Sequence, residues 1–210
     1  MENFQEILDK YNTKKNSKFN NFGKYYEKHM NLFRDKNINY LEIGSSRGES
    51  LYAIKEYFTN AKYIVGIDIN PFSIIFENRD KNIFIEIGNQ KNELFLNKIN
   101  QKYGPFDIII DDGSNLIDDK ITSFNILFPL LNNNGLYIIE NTINIKDNFD
   151  FFNKLIEFKN KINDNNIVNP EKIELKTSNI IEYSIGDIIF TNASIIIFKD
   201  IKYNWINNNL

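Results

Sequence analysis

Five apolar runs of strand length constrain the fold of this chain more than any other feature: Ile38 to Ile43, Tyr63 to Asp68, Ile83 to Ile87, Phe106 to Asp111 and Gly135 to Glu140. They are rich in β-branched residues and apolar on both faces, the mark of strands buried in a parallel sheet. Between them lie segments with helical spacing: Glu49 to Phe58, Phe72 to Asn78, Lys91 to Gln101 and Asp118 to Leu131. In the last, Ile121, Phe124, Leu127, Phe128 and Leu131 recur at three and four residues and form one apolar face. Strand and helix in alternation predict a sheet covered on both sides. Two further runs, Asp187 to Phe190 and Ser194 to Phe198, are joined only by Thr191, Asn192 and Ala193. They must be antiparallel neighbours, because a parallel crossover needs a dozen residues or more.

The expectation is an α/β fold, a Rossmann-like doubly wound, mostly parallel seven-stranded sheet with a C-terminal antiparallel hairpin strand. At 210 residues and 42% hydrophobic content the chain can bury one substantial core, so nothing requires a second one. Residues 1–36 then form an N-terminal helical extension or lid, and residues 37–210 the domain built on the sheet. The chain has no cysteine, which removes disulfides and thiolate metal sites and suits a cytoplasmic setting. No apolar run approaches the roughly 20 residues of a membrane span. A formal charge of -3 and a pI near 5.4 argue against a nucleic-acid partner and for a small-molecule or neutral acceptor. A homo-oligomer is left open.

Open α/β sheets bind ligands beyond the carboxyl ends of their strands, where strand order reverses. Glu42, Asp68, Asp111, Asp112 and Glu140 all fall at that edge. One acid there can simply cap a helix or face water; five together call for a ligand. In YLEIGSSRGES, residues 40 to 50, Gly44 and Gly48 occupy the turn between the first strand and its helix. The spacing is not that of a dinucleotide fingerprint, and Glu42 would repel a pyrophosphate while suiting a cationic ligand. Asp68, about 20 residues on, suits a ribose diol. Ribose, adenine and a cationic, zwitterionic tail without phosphate describe S-adenosylmethionine.

With the stretches KYYEKHM, VGIDIN, IEIGNQ, YGPFDIIIDDGSN, SFNILFPLL, GLYIIENT and DIIFTNASIIIFKD, the chain resembles class I S-adenosylmethionine-dependent methyltransferases. More narrowly, it resembles the metal-dependent sugar O-methyltransferases of macrolide and bacterial polysaccharide pathways. The resemblance implies that Glu42, Gly44, Ser45 and Gly48 hold the methionine part, Asp68 the ribose and Asn89 the adenine edge, with Asp111 beside them. It also implies a Mg2+ ion on Asp112, Glu140 and Asn141. Here Asn141 stands in place of an acid, which weakens the site by one charge.

The same resemblance puts a catalytic base where this chain has Asn115, and an amide cannot accept a proton near neutrality. Three readings follow. Metal acidification at Asp112 could leave the proton to a carboxylate or water. The acceptor could instead be a phosphate-type oxygen, a carboxylate or an amine that needs no base. The chain could also be a degenerate cofactor binder. The single histidine, His29, reads first as a packing or surface residue of an N-terminal helix, and second as a substitute base. Lys14 to Lys18 read as a solvated loop that would also suit a phosphate-bearing acceptor.

Overall fold

The computed structural model describes residues 2–142, 151, 153, 155–157, 184–191 and 194–200. The strands are β1 (Asn39–Ile43), β2 (Tyr63–Asp68), β3 (Ile83–Ile87), β4 (Ile108–Asp111), β5 (Leu136–Glu140), β6 (Ile185–Phe190) and β7 (Ser194–Lys199). They form one seven-stranded sheet in the order β3-β2-β1-β4-β5-β7-β6. The first five are parallel; β7 runs antiparallel between β5 and β6. The expected seven-stranded, doubly wound sheet is therefore present, with its order reversing between β1 and β4. The region 141–180, which with the N-terminal segment is expected from the sequence to build the acceptor pocket, lies largely outside the described residues, as do Asn192 and Ala193 of the last link.

Five α-helices accompany the sheet among the described elements: α1 (Phe4–Lys10), α2 (Gly23–Met30), α3 (Glu49–Tyr57), α4 (Glu93–Tyr103) and α5 (Ile117–Leu127). Local chemistry sets their ends. At α1 the Asn3 side chain accepts from the Glu6 amide while Glu6 reaches back to Asn3, a reciprocal cap. At α4 the Asn92 side chain accepts from the Phe95 amide. Phe72 to Asn78, expected as a helix, is instead a 3-10 segment, Pro71–Phe76, that turns extended at Glu77. Its Phe72 and Ile75 are exposed, so no apolar stripe rewards a full α-turn there.

Strand alternation divides the core in two. Tyr40, Ile64, Ile108, Ile110 and Ile138 face α1, α2 and α3, where Phe4, Leu8, Tyr26, Met30 and Ile54 meet them. Leu41, Val65, Ile109 and Ile139 face α4 and α5, against Leu96, Ile99, Phe124 and Phe128. Each such side chain contributes about 1.5–3 kcal/mol on burial. Residues before β1 thus share the core of the sheet, and this packing fixes the segment between α1 and α2 over the carboxyl edge.

Candidate active site

The turn after β1 begins with Gly44 at φ +84, where a Cβ would stand 2.3 Å from the carbonyl oxygen of Asp112. Only glycine lets the β1 and β4 turns touch. Next, the Ser46 amide donates to Asp68 Oδ2 at 2.7 Å, and the Asn70 amide to Asp68 Oδ1 at 2.8 Å. Between these turns lies a cavity of about 440 Å³ lined by Gly44, Ser46, Asp68, Asn89, Gln90 and Asp112, among others. The structure thus gathers Gly44, Asp68 and Asn89 as the sequence implied. Gly48, at φ +74, precedes α3 and is not among the residues lining this cavity. Ser45 is buried, and its hydroxyl has no hydrogen-bond partner.

A second cavity, about 630 Å³, lies across the same wall: Gly44, Ser46, Asp112 and Gly113 line both. Its other side is made by Asn12, Thr13, Lys14, Lys15 and Asn20, with Glu42, Ser45, Asn115 and Asn141 completing the floor and rim. A donor and an acceptor could face each other through this shared wall.

The adjacent acids have opposite fates. Asp111 closes β4 and is fully buried, accepting from Ser123 Oγ, from Gln90 Nε2 at 3.3 Å and from the Gly113 amide at 3.2 Å, with Lys120 Nζ at 3.5 Å. Its expected place in the cofactor site is a correction: it lines neither cavity, because one step along a strand reverses the side chain's face. It anchors Gln90, whose Oε1 accepts from the Ser114 amide at 2.7 Å. Asp112 instead turns to the shared wall, where Asn141 Nδ2 donates to its Oδ1 at 2.7 Å. Asn141 holds a left-handed φ of 58°, which asparagine tolerates.

At the centre of the acids stands a residue that sequence reasoning placed in solvent. Lys15 is 3% exposed, and its Nζ lies 2.7 Å from Glu140 Oε2, 2.8 Å from Asp112 Oδ2 and 3.3 Å from Glu42 Oε1. Burial works against the ammonium, yet Glu140, Asp112 and Glu42 together outweigh it and hold its pKa well above the ordinary value. Burial also pushes Glu140 up to about 8, opposed by Lys15 and reinforced by Asp112. Glu42 is raised by burial in the same way. It already accepts from Ser50 Oγ at 2.8 Å, Tyr40 OH at 3.3 Å and Lys15, and it faces the second cavity rather than the first. Tyr26 OH donates to Glu140 Oε1 at 3.1 Å. One signal for Lys15 existed: buried acids crowded at one edge demand a cation.

Asn115 lines the second cavity. His29 does not join it. Its ring packs edge-on against Phe198, 5.2 Å between centroids, and Phe198 pairs with Leu136 at the amino end of β5, opposite the acids. The expectation of His29 as a substitute base is corrected by this placement: α2 carries it away from the reacting edge.

The residues fit both groups implied by the resemblance. An unpartnered buried hydroxyl at Ser45 and a backbone approach that only Gly44 permits make a ligand cradle. Asp112 and Glu140 converge on one point, which the Lys15 ammonium marks as a cation position, and hard oxygens are what magnesium takes.

A sheet of this order with a glycine turn and acids at its switch point defines a methyltransferase fold, and the sequence agrees: residues 34–195 match the family model described as "Methyltransferase domain". The chain belongs to that family. It is 37% identical over 142 residues to the mycinamicin VI 2''-O-methyltransferase of Micromonospora griseorubida, covering 64% of this chain and 35% of that one. It is 35% identical over 142 residues to the demethylmacrocin O-methyltransferase of Streptomyces fradiae, with the same coverage, 64% and 35%. The chain thus spans about a third of the length of the curated relatives it matches. Among solved structures, MycE methyltransferase from the mycinamycin pathway with Mg and SAH superposes at a TM-score of 0.78 with 25% identity, over 95% of this chain and 55% of that one. The same enzyme with Mg, SAH and mycinamycin VI gives 0.79, again with 25% identity and coverage of 95% and 55%. No described helix is long and apolar enough to cross a membrane.

Proposed function

We propose that this chain is an S-adenosylmethionine-dependent O-methyltransferase that methylates a sugar hydroxyl of a glycoside, glycan or nucleotide-sugar in the cytoplasm. The single observation that carries this reading is the pair of cavities sharing the Gly44 and Asp112 wall. The acceptor class is supported by relatives named as O-methyltransferases of L-olivosyl-oleandolide and of a rhamnosyl tetracenomycin-C. A polysaccharide acceptor is the finer possibility within it.

S-adenosylmethionine supplies an electrophilic methyl group on sulfur when bound. The 440 Å³ cavity takes its nucleoside, with Asp68 receiving the ribose hydroxyls and Asn89 meeting the adenine edge. Gly44 and Ser45 hold the methionine part at the shared wall, and Gly48 shapes the turn that presents them. Glu42, saturated by Ser50, Tyr40 and Lys15, positions those groups rather than touching the ligand. Residues 1–36 act as the lid of the acceptor cavity, through Asn12 to Asn20, while residues 37–210 carry the catalytic domain. Asp112, Glu140 and Asn141 would hold Mg2+, which lowers the pKa of a bound hydroxyl. Asn115 borders the acceptor and can orient a hydroxyl by hydrogen bonding, without taking its proton.

A second reading is favoured by the same amide. An acceptor that needs no base, such as a phosphate-type oxygen, a carboxylate or an amine, fits a cavity rimmed by Lys14 and Arg47 and lacking a base at position 115. A cofactor binder without turnover would make no S-adenosylhomocysteine with any sugar. S-adenosylhomocysteine production with a panel of sugars separates these readings, and calorimetry tests the cofactor placement they share: Asp68→Ala should weaken S-adenosylhomocysteine binding at least tenfold, about 1.4 kcal/mol. Parent-like binding by that variant would remove the cofactor from the end of β2.

A further inference from the structure

We propose that Lys15 is a resident cation of the Asp112 and Glu140 pair, and that a divalent ion enters only by exchange, sending the Lys15 ammonium into the acceptor cavity. The proposal rests on the reading of Asp112, Glu140 and Asn141 as the metal position. Its foundation is geometric. Lys15 Nζ lies 2.8 Å from Asp112 Oδ2 and 2.7 Å from Glu140 Oε2, the oxygens that would ligate the ion. Magnesium binds oxygen at about 2.1 Å, so an ion on those two atoms would press against the ammonium. Two cations cannot share that point in a buried site.

The second amide points the same way. Asn141 turns its NH2 toward Asp112 Oδ1, at 2.7 Å, so it serves here as a donor rather than as an oxygen ligand. The acids are thus satisfied entirely by donors from the protein: Lys15, Asn141, and Tyr26 on Glu140. Among the described residues no group of three His, Cys, Asp or Glu side chains could hold a metal unaided. Exchange therefore requires Asn141 to rotate its carbonyl inward as Lys15 departs.

The fold gives Lys15 somewhere to go. Its backbone is held, with the amide donating to Thr13 Oγ1 at 3.2 Å and the carbonyl accepting from the Phe22 amide at 3.2 Å. Only the side chain needs to move. It borders the 630 Å³ cavity, which Lys14, Asn115 and Asn141 also line. After exchange, the ammonium stands beside the acceptor as a hydrogen-bond donor, and the ion takes over the charge of Asp112 and Glu140. Metal binding and acceptor recognition are coupled through one side chain.

The experiment uses the unaltered protein first. Lysines are acetylated briefly with and without saturating Mg2+ and the sites quantified by mass spectrometry, with exposed Lys14 as the internal standard. Without the ion Lys15 should label at least tenfold less than Lys14; with it, the gap should shrink several-fold. In parallel, calorimetry compares Mg2+ affinity in the parent and in Lys15→Met, which should bind at least tenfold more tightly because the competing cation is gone. Equal affinity in both proteins, or Lys15 still protected at saturating Mg2+, overturns the exchange while leaving the metal position standing. Failure of both proteins to bind Mg2+ overturns the exchange and the metal position together. The labelling arm decides the matter even if Lys15→Met does not fold.

Discussion

Two lysines are buried to the same depth at opposite edges of the sheet, and the protein treats them in opposite ways. Lys15 and Lys199 are each 3% exposed. Lys15, at the carboxyl edge, faces three carboxylates that hold its pKa well above the ordinary value. Lys199, the last residue of β7 beside the amino end of β5, donates to the carbonyls of Pro129 and Leu131, both at 2.6 Å, and burial brings its pKa down to about 8. Burial alone disfavours the ammonium; neighbouring anions reverse the outcome. At the amino edge a lysine clamps the chain leaving α5. At the carboxyl edge the same residue type is a charge that a ligand site needs.

Substitution of both residues by methionine gives the sharpest contrast. Lys15→Met leaves three carboxylates with no ammonium among them, and we expect a loss on the order of 3–5 kcal/mol in urea unfolding without divalent ions. Lys199→Met leaves two carbonyls short of a donor but removes a buried amine, so about 1–2 kcal/mol is expected. Equal losses would break the distinction. Adding Mg2+ should restore part of the Lys15→Met loss by binding the folded state, and nothing of the Lys199→Met loss.

A smaller effect tests whether the carboxyl edge is chemical as well as charged. With a sugar hydroxyl as acceptor, Asn115→His should raise methyl transfer on the order of ten- to a hundredfold, the gain appearing as pH rises through the imidazole pKa. A slower variant that still binds S-adenosylhomocysteine and Mg2+ would favour the acceptor that needs no base.

The smallest expected effect belongs to pH at the amino edge. The folded pKa of Lys199, about 8, lies below its ordinary 10.5, so protonation penalises the fold. That penalty is full below pH 8 and fades as pH climbs toward 10.5, so the parent should gain stability relative to Lys199→Met across this window. A gap that stays flat in pH-dependent unfolding would mean that the two carbonyls already offset the burial.

The contrast also separates what was legible in the sequence from what was not. Apolar runs such as Tyr63 to Asp68 carry their own strand signal, so the sheet and the row of acids could be placed without contacts. The divergence of Asp111 and Asp112 was legible in principle, since neighbours on a strand face opposite ways. Phe72 to Asn78 misled because its apolar residues resemble a helix face while Phe72 and Ile75 remain outside the core. The row of acids called for a cation, but that Lys15 supplies it was not legible. A lysine in a polar stretch looks solvated locally, and its partners Asp112 and Glu140 are 97 and 125 residues away. The second reading of His29, as a substitute base, failed for a related reason: a helix pattern fixes which face is buried but not which end of the sheet the helix reaches.

That separation along the chain also has a consequence in time. Translation adds about 5–20 residues per second, so Lys15 emerges from the ribosome roughly 5 to 25 s before Asp112 and Glu140, two of the three carboxylates it faces. During that interval α1 and α2 can find each other and the loop between them can close its own backbone bonds, but the Lys15 ammonium lacks two of its three carboxylates. The loop that walls the larger cavity is therefore made well before two of the acids that fix it, and it takes its final shape only when β5 arrives.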